Sequence, residues 1–144
     1  MVGMEGFGLL VGHLVGDYVA QNDWMAKNKV NPAPAFADWD ARRADAGVTR
    51  RRWLVGHVAC TVHCLLYTLA VGACSFWWMP WWGLVACFAL HFPMDRYRLA
   101  GRWMRNVSGQ TAFATGPLSP WSVIIADNIG HLAVLGIIAK LAGM

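Results

Sequence analysis

The chain has 144 residues, room for one domain. Hydrophobic residues make up 57% and charged residues 14%, and nine are tryptophan. That balance excludes a disordered chain and an ordinary soluble domain, and the tryptophans point to membrane interfaces. The formal net charge of +4 is concentrated. Lys27, Lys29, Arg42, Arg43, Arg50, Arg51 and Arg52 fall in 22–52, and Arg96, Arg98, Arg102 and Arg105 fall in 96–105. Only Lys140 lies elsewhere. Few aromatics alternate with these basic runs and apolar segments flank them, so nucleic acid is not the expected partner.

The first apolar segment is 6–21, GFGLLVGHLVGDYVAQ. No basic stretch precedes it, Glu5 does, and no small-x-small site follows, so it reads as a retained helix rather than a cleaved signal. Gly8, Gly12 and Gly16 form a small-residue stripe that allows close helix approach. Residues 22–52 read as a polar loop, with a short interfacial helix expected in 34–46 that carries Asp38 or Asp40 in its first turn. The second segment, 53–76, is long enough to cross a bilayer, since about 20 apolar residues suffice. Residues 77–82, WWMPWW, form an uncharged aromatic turn. The third segment, 81–95, is short. Residues 96–121 form a second polar loop, and Ser119 or Ser122 is positioned to cap the fourth segment, 122–143. No run alternates with period two, so strands are not expected.

These segments predict an all-α fold, a single integral membrane domain of four transmembrane helices with two cytoplasmic basic loops. The positive-inside rule then places both loops in the cytoplasm and both termini in the periplasm. Cys60, Cys64, Cys74 and Cys87 show no C-x-x-C spacing and read as small hydrophobes. Cys74 and Cys87 lie symmetrically about Pro80, and a disulfide between them is left open.

Three times a histidine and an aspartate stand four residues apart within an apolar stretch: His13–Asp17, His91–Asp95 and Asp127–His131. Residues at i and i+4 share one face of a helix. Ionisable residues in membrane segments are rare and usually functional. One such pair is explained by a structural hydrogen bond, but three at matched depth point to a shared polar site. Neutral imidazole and carboxylate suit Zn, Mn or Fe. The expected ligands are His13, Asp17, His63, His91, Asp95, Asp127 and His131, with Asp17, Asp95 and Asp127 also in catalytic roles. Tyr18, Gln21, His57, Arg96 and Asn128 are expected as supporting or substrate-contacting groups.

His13-Leu-Val-Gly-Asp17-Tyr18-Val-Ala-Gln21 with Asp23-Trp24-Met25-Ala26-Lys27-Asn28-Lys29, then Val62-His63-Cys64-Leu65-Leu66-Tyr67-Thr68, then His91-Phe-Pro-Met-Asp95-Arg96-Tyr97, together resemble domain of unknown function family 3307. These are small membrane proteins of bacteria and bacteriophages. The resemblance spans most of the chain and is weakest in 30–52 and 105–120. It implies a bacterial inner-membrane protein, favours His63 over His57 as the second segment's contribution, and supplies no activity.

From residue chemistry the expected function is metal-dependent hydrolysis of a lipid or lipid-linked phosphate, with basic loops attracting anionic head groups. The alternative is a non-enzymatic phage membrane protein, a superinfection-exclusion or host-takeover factor, whose polar cluster is structural or conducts protons or ions. Membrane lipids, a host membrane protein and a second copy of the chain are its expected partner classes.

Overall fold

The computed structural model describes residues 4–30 and 50–144, Trp77 excepted. Among them are helices α1 (Met4–Leu14), α2 (Asp23–Asn28), α3 (Arg50–Cys74), α4 (Trp81–Arg96), α5 (Leu99–Asn106), α6 (Thr111–Thr115) and α7 (Ser119–Leu141). The all-α expectation holds: no strand occurs among the described residues. The interfacial helix expected in 34–46 lies outside them.

The four longer helices close a ring in which α1 packs on α3, α3 on α4, α4 on α7 and α7 on α1. Glycines set the closest seam. Gly8 faces the Cys74 carbonyl, Gly12 faces Val71 and Gly16 faces Tyr67, so α1 runs antiparallel to α3. A Cβ at Gly12 would stand 2.7 Å from the Val71 Cα, closer than any side chain allows. The predicted glycine stripe is therefore a backbone-on-backbone contact. Gly83 against Ile138 and Gly130 against Met94 give α4 and α7 the same antiparallel relation. The bundle runs up, down, up, down. Lys27, Lys29, Arg96, Arg98, Arg102 and Arg105 gather at one end, and the aromatic turn before α4 closes the other.

Burial is inverted relative to a soluble bundle. Inward positions of α3 include Cys60, His63, Cys64, Tyr67 and Val71, while Leu54, Val58, Val62, Leu65 and Leu69 are exposed. On α7, His131 is buried whereas Ile124, Ile125, Ile129, Ile137 and Leu141 are exposed. A soluble helix turns its apolar stripe inward and its polar face out. Here the largest side chains with almost no exposure include Arg96, His13, His63 and His91. An apolar cluster of Leu9, Val71, Met79, Cys87, Leu135 and Ile138 fills the half near the aromatic turn.

Three details differ from expectation. Among the described residues only Trp53–Cys74 and Ser119–Leu141 are long and apolar enough to cross a membrane. Four helices line the bundle, but α1 continues only to Val19, and α4 has 16 residues and ends on Asp95 and Arg96. Ser119 is the first residue of α7 rather than its cap, and the buried Ser122 hydroxyl donates to the Phe113 and Ser119 carbonyls inside the helix. Cys74 and Cys87 are free thiols, as are Cys60 and Cys64.

Candidate metal centre

Two local irregularities bring carboxylates to the bundle interior. After Leu14 the first helix widens into a π turn over Val15–Val19, closed by the Ala20 N–H donating to the Val15 carbonyl at 2.8 Å. Such turns are rare and occur often at functional sites. This one carries Asp17 past Tyr67, where Gly16 leaves no room for a side chain. In α4, Pro93 sits between His91 and Asp95. It has no N–H to donate to the Ala89 carbonyl, a break that costs about 3 kcal/mol in a regular helix.

The imidazoles of His63 and His91 meet with their Nε2 atoms 3.1 Å apart. Asp95 Oδ2 lies 2.9 Å from His63 Nε2 and 3.3 Å from His91 Nε2. Asp17 Oδ1 lies 3.3 Å and 3.6 Å from the same two nitrogens. A tetrahedral ion held at about 2.0–2.1 Å sets its ligand atoms about 3.3–3.4 Å apart. All five separations fall near that edge length. His131 adds an Nε2 at 3.7 Å from Asp95 Oδ1. Two groupings can each hold a metal ion, Asp17–His63–His91 and His91–Asp95–His131. They share His91, whose Nε2 faces both aspartates and has one lone pair. Both groupings therefore cannot use that atom at the same time.

Tautomers follow from fixed partners. The His131 Nδ1 donates to the Asp127 carbonyl at 2.9 Å. A carbonyl only accepts, so the proton is on Nδ1 and the Nε2 lone pair faces the cluster. That Nε2 is buried and has no hydrogen-bond partner, as is Asp17 Oδ1. His63 Nδ1 and His91 Nδ1 are likewise unpartnered. Leaving buried polar atoms unmade costs roughly 1–3 kcal/mol each. A divalent ion coordinated by the Nε2 and carboxylate atoms would offset that cost at His131 Nε2 and Asp17 Oδ1, though not at the two Nδ1 atoms.

His13 is fully buried beside this set, its ring stacked on His131 at 5.9 Å. Its Nδ1 stands 3.4 Å from Asp17 Oδ2, as their i, i+4 spacing predicts, but both nitrogens have nearer partners. The Nε2 donates to Asn128 Oδ1 at 2.8 Å, and the Nδ1 accepts from the Tyr67 hydroxyl at 3.0 Å. Asn128 in turn donates to the Tyr18 hydroxyl and to the Ile124 carbonyl. His13 thus fixes α1 against α3 and α7. Asp127 stands 3.5 Å from His131 Nδ1, and its side chain keeps 29% exposure. His57 donates its Nδ1 to the Trp53 carbonyl and stays outside the cluster. The buried Arg96 turns away from it, towards His57 and the Lys29 carbonyl.

Lys29, which by sequence is one of the topology-setting charges, reaches the centre. Asn22 caps α2 by accepting from the Met25 N–H, and the Lys29 N–H donates to Met25 one turn later. The Lys29 ammonium then lies 2.6 Å from Asp95 Oδ2 and 3.1 Å from His63 Nε2. Burial pushes this ammonium down, but the neighbouring Asp95 and Asp17 more than offset that and hold it above the usual lysine value.

A cavity of about 800 Å³ opens beside the cluster at the basic end. Asp17, Asp95, Asp127, Asn128, Lys29 and Arg98 supply its polar wall, with Tyr18 and Gln21 at its edge. Met94, Val123 and Ile124 supply an apolar side. Arg98 stands there at φ 49°, a left-handed conformation unusual for a residue with a side chain.

No known family, curated protein or solved structure matches the chain.

Proposed function

We propose that the chain is a membrane-embedded, divalent-metal-dependent hydrolase of a lipid or lipid-linked phosphate, working at the basic, cytoplasmic end of the bundle. The observation that carries this is the convergence of His63 Nε2 and His91 Nε2 with Asp17 Oδ1 and Asp95 Oδ2, each carboxylate oxygen 2.9–3.6 Å from both nitrogens, beside a half-apolar cavity. The exposed isoleucine, leucine and valine faces of α3 and α7 support a lipid environment. In that environment α1 and α4 complete the four-helix crossing by local thinning of the bilayer, and both termini face the periplasm.

A bound ion supplies Lewis acidity, polarising a phosphoryl oxygen and acidifying a water. The chain's own residues do the rest. Asp17, His63, His91 and Asp95 would hold the ion, with His131 as an alternative donor; because four donors fill a tetrahedron, the water would enter by expansion to five or six ligands, which Mn and Fe accept. Asp127 lies outside the shared donor set and faces the cavity, so it is the carboxylate placed to take a proton from the attacking water. Arg98 meets the phosphate, and its strained backbone is the kind of outlier that functional sites retain. The apolar side receives the lipid chain. Protein loaded with Zn, Mn or Fe should release inorganic phosphate from a phosphorylated lipid in mixed micelles, and His91→Ala should abolish release. No turnover with any of the three ions on mono- and diphosphorylated lipids would remove the hydrolase assignment.

One observation favours a second reading. The Lys29–Asp95 pair at 2.6 Å gives the carboxylate a counter-charge from the chain itself. On that reading the cluster is structural or relays protons, and the protein works as a non-enzymatic phage or bacterial membrane factor.

A further inference from the structure

The Lys29 ammonium and a metal ion need the same electron pairs. Lys29 Nζ lies 3.1 Å from His63 Nε2 and 2.6 Å from Asp95 Oδ2. Both atoms belong to the set of four donors. An imidazole Nε2 has one lone pair in the ring plane, so His63 serves either an N–H donor or an ion. Two cations on one carboxylate oxygen and one imidazole also repel at short range.

Resting on the metal reading above, we infer that Lys29 is a built-in competitor for the ion. The ammonium satisfies His63 and Asp95 until a divalent cation displaces it, and loading expels the Lys29 side chain into the cavity it lines. The geometry makes the exchange local. Lys29 keeps its main-chain anchors, with its N–H on the Met25 carbonyl and its own carbonyl accepting from Arg96 Nη1 at 3.4 Å. Only the side chain has to move. Its 14% exposure and place in the cavity wall give it somewhere to go. The device keeps the buried Asp95 carboxylate compensated before loading and tunes affinity through one residue.

The chain's three lysines make this testable in the full-length protein in detergent micelles. Amine labelling with a succinimidyl ester, read by mass spectrometry, should show Lys29 protected and Lys27, whose side chain is 66% exposed, reactive. Addition of Zn²⁺ alone should raise Lys29 labelling at least fivefold and leave Lys27 and Lys140 unchanged. Lys29→Met should bind Zn²⁺ at least tenfold more tightly by calorimetry, with Lys29→Gln as a second variant if the first does not fold. Zn²⁺ binding with Lys29 still protected overturns the inference and leaves the metal centre standing. Tighter binding by Lys29→Met without a rise in wild-type labelling also overturns it, since charge repulsion alone would then explain the affinity. No Zn²⁺ binding by wild type or variant removes both the inference and the reading beneath it.

Discussion

The two halves of the bundle solve opposite problems. Near the aromatic turn, Leu9, Val71, Met79, Cys87, Leu135 and Ile138 pack together with no charged group among them, and Gly8 and Gly12 let α1 lie directly on the α3 backbone. Near the basic end, the same four helices enclose Asp17, His63, His91, Asp95 and His131, with Lys29 inserted among them. Close packing stabilises the first half in any solvent, because interiors at crystal-like density gain dispersion contacts. The second half places charges where desolvation opposes them, and a buried pair that loses one partner costs about 3–5 kcal/mol. One half holds the helices in register, and the other uses that register to aim ligands from four helices at one point.

Substitutions should separate the halves. The largest effect is expected at His91, shared by both ligand groupings. His91→Ala should reduce Zn²⁺ affinity by more than the roughly 10–100-fold that outer partners of a metal site typically cost, read by calorimetry. In the packed half, Gly12→Ala should destabilise by about 1–3 kcal/mol, since its Cβ meets backbone rather than a movable side chain. The same variant should keep metal stoichiometry, as denaturant melting and elemental analysis of one sample would show. Loss of metal from Gly12→Ala would mean that the halves are not separable. Asp17 and His131 come from different helices and, on the proposed reading, would serve one ion. The effects of Asp17→Asn and His131→Ala on metal affinity should be non-additive by about 0.5–3 kcal/mol, and additive losses would split the cluster into independent couples.

Smaller effects sharpen the contrast. A Cβ at Gly136 meets nothing within 4 Å. Gly136→Ala in the interior of α7 should therefore stabilise by about 0.5–1 kcal/mol, in contrast to Gly12→Ala. The smallest change is expected for His57→Ala. His57 lies outside the cluster, so metal affinity should be unchanged within error, and a large loss would show that the centre extends towards Arg96.

Much of the site was legible because helical spacing is rigid. His91 and Asp95 share a face at i and i+4, and Asp127 and His131 do the same. The glycine stripe at 8, 12 and 16 likewise foretold a close seam. What sequence did not give has physical reasons. No residue type announces the π turn around Asp17, although His13 Nδ1 and Asp17 Oδ2 still meet at 3.4 Å as their i, i+4 spacing predicts. Lys29 joins the centre from a separate short helix, so no periodicity connects it to Asp95, although it stands in the same motif as the α2 residues. The roles of His13 and Asp127 depend on which nitrogen or oxygen is already engaged, here by Tyr67, Asn128 and the Asp127 carbonyl. Of the four expected crossings, two stand on length and hydropathy. The helical stretch Gly6–Val19 and the helix Trp81–Arg96 are too short to register by that criterion.

The central claim is that one ion binds among Asp17, His63, His91, Asp95 and His131, and metal content measured alongside thermal melting tests it most directly. Protein purified without chelator, or incubated with Zn²⁺ and desalted, should hold close to one equivalent of metal, because His91 Nε2 cannot serve two ions. Chelation should lower the melting temperature, as expected when a ligand at about 100 times its Kd contributes roughly 2.7 kcal/mol. His91→Ala should contain no metal and melt alike with and without chelator. Wild-type protein that holds no metal after incubation with Zn, Mn and Fe, and melts identically with and without chelator, would contradict the account and leave the Lys29-compensated polar cluster as the whole of the site.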